Sequence, residues 1–200
     1  MSPRPRKVTD EELFAATHAV MNRVGPGELT LSAIAEEAGV TAAVLVQRFG
    51  SKRNLLLALS ARAADESGAF IAGLQRQHRS PLAALRAYAG CMATLAASPA
   101  AFARSLAYLQ IDLTDPDFRK PLVKQARATR AGLERLVAAA VEAGELAAGV
   151  NAARLARTIE AILGGSLLTW AFYREGPAAD WLRADLEAVL APYVKKPRRG

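Results

Sequence analysis

The chain has 200 residues, 52% of them hydrophobic but only 6% aromatic, with alanine supplying much of the apolar content; that composition suits close-packed helices better than a β-sandwich of branched and aromatic residues. The net charge of +7 is compatible with an anionic partner, yet residues 1–53 hold seven basic and six acidic side chains, so the excess lies further along. A single cysteine, Cys91, excludes an intramolecular disulfide, and two histidines, His18 and His78, form no spacing that would hold zinc or iron, so no metal or other cofactor is expected.

The chain opens with a basic arm, Arg4, Arg6 and Lys7 between and after Pro3 and Pro5. Thr9 followed by Glu12 fits a capping box, and Leu13, Phe14, Thr17, Val20 and Met21 recur at helical spacing until Gly25-Pro26-Gly27 stops the helix near Asn22. Thr30 then precedes a short amphipathic stretch over 31–38, broken by Gly39, and Thr41 starts a third helix that ends at Gly50. Ser51 caps a long fourth helix to about Gln77. Beyond it, Ser80-Pro81, Ser98-Pro99 and Asp115-Pro116 each place a cap before a proline at the first helical position. These signals, with Asn151 and Gly176-Pro177, predict helices at about 81–97, 99–112, 116–143, 151–174 and 178–194. The longest run without charge, Ala87 to Ala103, is 17 residues and contains Pro99, short of the roughly 20 needed to span a bilayer. No apolar stretch follows the basic arm as a signal peptide requires, so a soluble, cytoplasmic protein is expected. The predicted fold class is all-α, with no strand pattern or internal repeat.

Residues 30–50 make two short helices across a glycine turn, the minimum needed to hold one helix rigidly for insertion into a DNA major groove. The residues Leu29-Thr30, Ile34-Ala35, Ala38-Gly39-Val40-Thr41, Leu45, Phe49, Ser51-Lys52 and Leu55-Leu56 resemble the N-terminal signature of the tetracycline-repressor (TetR) family, over about residues 9 to 58. Leu113 to Arg119 resembles, more weakly, C-terminal domains of some members. The resemblance implies a helix-turn-helix DNA-binding domain at 1–52, including the basic arm, and a ligand-binding and dimerisation domain at 53–200. It further implies a homodimer that represses from an inverted-repeat operator in double-stranded DNA and is released by a small, largely apolar effector.

Carried onto this chain, the resemblance makes Thr30 and Thr41 phosphate-contacting caps, Ala42 to Arg48 the base-reading stretch, and Lys52 a phosphate anchor. The chemistry accords: hydroxyls and an ammonium grip phosphate, Gln47 can pair with an adenine edge, and Ala42 or Ala43 can touch a thymine methyl. Val46 stands where the family commonly has tyrosine, so one phosphate contact is missing, with Arg48 and the arm of Arg4, Arg6 and Lys7 as candidate replacements.

Two half-sites about 34 to 36 Å apart require two copies of such a domain. The apolar face of Leu155, Ile159, Ile162, Leu167 and their neighbours, interrupted by Gly164-Gly165, is the expected dimer surface together with Trp181, Leu186 and Val189. Gly164 and Gly165 each cost about 1 kcal/mol relative to alanine in a helix, which points to close backbone approach. For an effector pocket the candidates are Cys91, Met92, Phe102, Tyr108, Asp112, Leu133, Leu136, Thr169 and Trp170, in the middle helices and the one from 151. Two histidines assemble no convincing nucleophilic triad and no glycine-rich phosphate loop follows a strand, which argues against an enzyme. Weak basicity of the N-terminal segment argues against a non-specific nucleic-acid coat.

Overall fold

The computed structural model describes residues 8–94 and 96–195. Within them the chain forms nine helices: α1 (Asp10–Arg23), α2 (Leu31–Glu37), α3 (Ala42–Phe49), α4 (Lys52–Gln77), α5 (Pro81–Thr94), α6 (Pro99–Thr114), α7 (Pro116–Glu142), α8 (Ala152–Tyr173) and α9 (Ala178–Leu190). Outside the helices, Leu146 and Val194 form an isolated antiparallel bridge. Packing divides the chain into two units rather than at a single cut. One takes Met1–Arg62 with Ala103–Pro121, the other Ala63–Phe102 with Leu122–Gly200, as far as these are described, so α4, α6 and α7 contribute to both.

In the first unit, α1 starts on a capping box: the Glu12 N–H donates to Thr9 Oγ1 at 3.2 Å and the Thr9 N–H to a Glu12 carboxylate oxygen at 2.9 Å. Leu13, Val20, Leu29, Ile34, Leu45 and Leu55 are buried together, so α1 and α2 and the start of α4 close around the inner side of α3. Thr30 caps α2 by accepting the Ala33 N–H at 3.1 Å. The turn into α3 then needs a left-handed residue, which Gly39 supplies at φ 66°, and the Val40 N–H donates back to the Ala35 carbonyl at 2.9 Å. Tyr108 of α6 belongs to this same core, its hydroxyl donating to the Val24 carbonyl at 3.2 Å.

The second unit has its own core, in which Leu85, Leu133, Leu136, Ile159, Leu163 and Leu182 are buried. Ser80, Ser98 and Asn151 each accept the N–H three residues on, which is why α5, α6 and α8 begin where they do. Gly132 of α7 lets Ile71 of α4 come so close that a Cβ there would lie 2.8 Å from its Cδ1. Two helix ends fall short of the sequence expectation by more than one residue, and α6 runs two past it, to Thr114. Helix α5 is described to Thr94, with Ala96 already outside it against an expected end at 97, and α9 stops at Leu190 instead of 194. The second has a visible cause: the Ala147 N–H donates to the Tyr193 carbonyl at 2.8 Å and the Lys195 N–H to the Glu145 carbonyl at 3.1 Å, and backbone so engaged cannot continue a helical ladder.

Candidate functional site

Helix α3 buries Leu45 and sets Phe49 against Phe14 of α1, with ring centroids 5.9 Å apart. That anchorage turns Ala43, Val46 and Gln47 outward, one patch at positions i, i+3 and i+4, while Ala42 is half-buried against the core. Thr41 precedes the helix with an exposed side chain that makes no capping bond, leaving its hydroxyl available. Thr30 is exposed too; its oxygen accepts the Ala33 N–H, and its hydroxyl hydrogen remains to donate.

The cations are placed differently from the sequence expectation. Arg48 is turned back on α1: its Nη1 donates to the Val8 carbonyl at 2.8 Å and to Asp10 Oδ1 at 3.0 Å, so its guanidinium braces the helix-turn-helix instead of joining the exposed patch. Lys52 is half-buried, and its Nζ donates to the carbonyls of Leu29 at 2.7 Å and Pro26 at 3.4 Å. It closes the loop between α1 and α2 with two of its three donors, a structural duty the phosphate-anchor expectation did not include. Arg23 pairs with Glu37 at 2.6 Å. Arg4, Arg6 and Lys7 lie outside the described residues.

Arg53 is the residue sequence reasoning missed. Its Nη2 donates to both carboxylate oxygens of Asp115 at 2.8 and 2.9 Å and to Asp117 at 3.1 Å, and its guanidinium lies 5.4 Å from the centre of the Phe118 ring. The Asp117 N–H and then Arg53 hold the Asp115 carboxyl below the usual carboxylate range, and Asp115 in turn raises Arg53. This clamp ties the start of α4, directly after α3, to the α6–α7 corner. No local pattern signals it, because the partners stand 62 and 64 residues apart.

The nine pocket candidates do not gather in one unit. Tyr108 is spent in the first unit's core, and Asp112, half-buried in the same unit, has its carboxyl raised by burial. Of the seven in the second unit, Leu133 and Leu136 are fully buried packing residues, and Cys91, Met92 and Phe102 lean on the same core. The Thr169 hydroxyl donates to the Gly165 carbonyl of its own helix at 2.9 Å. Trp170 alone lines an open recess of about 440 Å³, walled otherwise by small residues such as Gly90, Ala93, Ala97, Gly176 and Ala179.

The expected dimer surface separates into two groups. Leu155, Ile159, Leu167 and Leu186 point into the unit's own core and are at most 4% exposed, so they have no surface to offer a partner. Ile162, Trp181 and Val189 are half-buried, with the Trp181 indole N–H donated to the Glu175 carbonyl at 2.7 Å. Gly164 and Gly165 are exposed, and a Cβ at either would meet nothing within 4 Å. They share a stripe along α8 with Leu168, 39% exposed, and Phe172, 70% exposed, two apolar side chains the sequence expectation omitted. Helix α9 is keyed to α8 by the Ser166 hydroxyl, which donates to the Asp185 carboxylate, and to α5 by Arg86, whose Nε donates to Glu187 at 2.5 Å.

Among the described residues no helix is long and apolar enough to cross a membrane. Residues 13–59 match the family described as bacterial regulatory proteins of the tetR family, and residues 104–186 match the tetracyclin repressor-like C-terminal domain. No curated protein matches the chain. Among solved structures, a TetR transcription regulator from Haloarcula marismortui superposes with a TM-score of 0.71 at 18% identity, covering 93% of this chain and 98% of that one. SmeT of Stenotrophomonas maltophilia, the repressor of the multidrug efflux pump SmeDEF, gives 0.66 at 24% identity over 95% and 92% of the two chains. The regulator FadR of Bacillus subtilis, solved with stearoyl-CoA, gives 0.69 at 16% identity over 92% and 98%. An N-terminal helix-turn-helix and a C-terminal helical domain, each matching its half of the family pattern, make this chain a DNA-binding transcriptional regulator of the TetR family.

Proposed function

We propose that the protein is a homodimeric repressor that binds an inverted-repeat operator through α3 and is released by a small, largely apolar effector. The observation that carries the reading is the outward patch of Ala43, Val46 and Gln47, held by a buried Leu45 and flanked by the free hydroxyl of Thr41. A rigid helix with an uncommitted face and polar groups at its entrance is what groove insertion demands. Residues 1–52 carry DNA binding in this reading, with Thr30 and Thr41 on phosphate, Lys52 offering its third donor, and Arg4, Arg6 and Lys7 reaching phosphates or the minor groove. It acts in the cytoplasm, where its DNA is.

Residues 53–200 supply the dimer and the sensor. The stripe of Gly164, Gly165, Leu168 and Phe172 on α8, with Trp181 and Val189 alongside on α9, supports pairing across a two-fold axis: backbones approach at the glycines and the apolar side chains flank them. The recess of Trp170 and small apolar residues in the second unit, and neighbours that are a drug-pump repressor and a regulator solved with an acyl-CoA, support an apolar effector. Release requires that the effector bind a DNA-incompetent arrangement more tightly than the competent one.

The test is selection from a randomised duplex library by the purified protein at fixed, near-physiological salt. The expected product is an inverted repeat with half-sites one helical turn or a multiple apart. No enrichment by protein shown to be folded and dimeric, with and without candidate apolar effectors, overturns the reading.

A further inference from the structure

We infer that Val46 is a base reader that recognises a thymine methyl, and that the half-site core under α3 therefore consists of A·T pairs; this rests on the DNA-binding reading above. Val46 is 49% exposed on the outer side of α3 and lies outside the hydrophobic cluster of its unit. Its neighbours on the patch are Ala43 and Gln47. The one charged residue of α3, Arg48, is bonded to Val8 and Asp10, and the charged residues of α2 are Glu36 and Glu37. The commonest specific contact in the major groove, a bidentate arginine or lysine on guanine, thus finds its one candidate on this helix drawn back to α1 and off the patch.

What the patch can discriminate follows from the groove edges. A hydrocarbon side chain gains contact from the C5-methyl of thymine, whereas over guanine it strips water from O6 and N7 and over cytosine from the N4 amine with nothing in exchange. Gln47 beside it matches adenine N7 and N6 with its amide oxygen and nitrogen. Residues i to i+4 span about 6 Å of helix axis. Base pairs repeat at about 3.4 Å. The patch from Ala43 to Gln47 therefore covers about two adjoining pairs, both A·T for its readers Val46 and Gln47, with Ala43 small enough to let α3 sit deep over them. The valine that forgoes a phosphate contact places a methyl-sensing group on the base edges.

The experiment replaces each thymine of a selected duplex, one at a time, by deoxyuridine, which removes only the C5-methyl. For the full-length protein, affinity should fall about fourfold at one position per half-site, the value of one buried methyl. Val46→Ala, a change at an exposed site whose fold is checked by circular dichroism, should bind the thymine duplex more weakly and lose its sensitivity at that position alone. Tolerance of deoxyuridine everywhere, or undiminished sensitivity in Val46→Ala, overturns the inference. A selected half-site with G·C pairs under α3 also overturns it while leaving specific DNA binding intact. Failure to select any duplex overturns both.

Discussion

Thr41 and Lys52 look equivalent in the sequence, two polar residues at helix starts suited to phosphate, and the packing separates them. The Thr41 side chain makes no capping bond inside the fold. Thr41→Ala should leave the unfolding free energy within about 0.5 kcal/mol of wild type and weaken binding to every duplex about three- to tenfold, the worth of one hydrogen bond, in a titration at fixed salt. Lys52 secures the carbonyls of Pro26 and Leu29. Lys52→Met should therefore destabilise the protein by about 1–3 kcal/mol in denaturant unfolding, because two half-buried carbonyls lose their donor. A Lys52→Met protein of unchanged stability and impaired DNA binding would leave the ammonium with a phosphate role alone. Residue type was legible at these positions; partnership was not. Arg48 meets Asp10 across 38 residues and Arg53 meets Asp115 across 62, pairings that exist only once the helices have packed.

The helix starts at Thr9, Thr30, Ser80, Ser98 and Asn151 were legible because each of them rests on a local chemical event, a side-chain oxygen accepting an N–H three residues on. Helix ends were read less well, since the end of α9 is set by a strand-like pairing with residues 145–147 that its own periodicity cannot encode. The turn between α2 and α3 is the element on which the outward patch depends. Gly39→Ala forces a Cβ into a left-handed conformation at φ 66° and should cost roughly 1–2 kcal/mol in thermal or denaturant unfolding, with DNA affinity falling in parallel. Wild-type stability in that variant would mean that the turn relaxes freely. The clamp at the start of α4 adds a pH dependence. Asp115 is held below its unfolded value by the Asp117 N–H and Arg53, so its contribution is full above the ordinary carboxylate range and is lost as pH falls through the lowered native value. The stability gap between wild type and Asp115→Asn should accordingly be present at neutral pH and close in acid as pH falls through that lowered value. A gap that persists in acid would assign the loss to packing.

At the scale of the molecule, all-helical architecture and an N-terminal reading domain were evident from caps and motif, whereas the destination of each apolar side chain on α8 and α9 was not. Amphipathicity says that Leu155, Ile159 and Gly165 lie near a buried surface; it does not say whether that surface is the chain's own core or a second copy. Burial decides it, sending the leucines and isoleucine inward and leaving Gly164, Gly165, Leu168 and Phe172 on the outside. Gly165→Leu meets open space within the chain and should fold normally while shifting the protein toward monomer by at least tenfold in dissociation constant, about 1.4 kcal/mol, in sedimentation velocity. An unchanged dimer would move the interface off α8.

The central claim, that two copies of α3 read two half-sites at once, is tested most directly by inserting about five base pairs, half a helical turn, between the half-sites of a selected operator. The second half-site then faces the opposite side of the duplex, and affinity should fall to that of a single half-site. Affinity unchanged by the insertion would contradict a two-fold dimer reading both halves together.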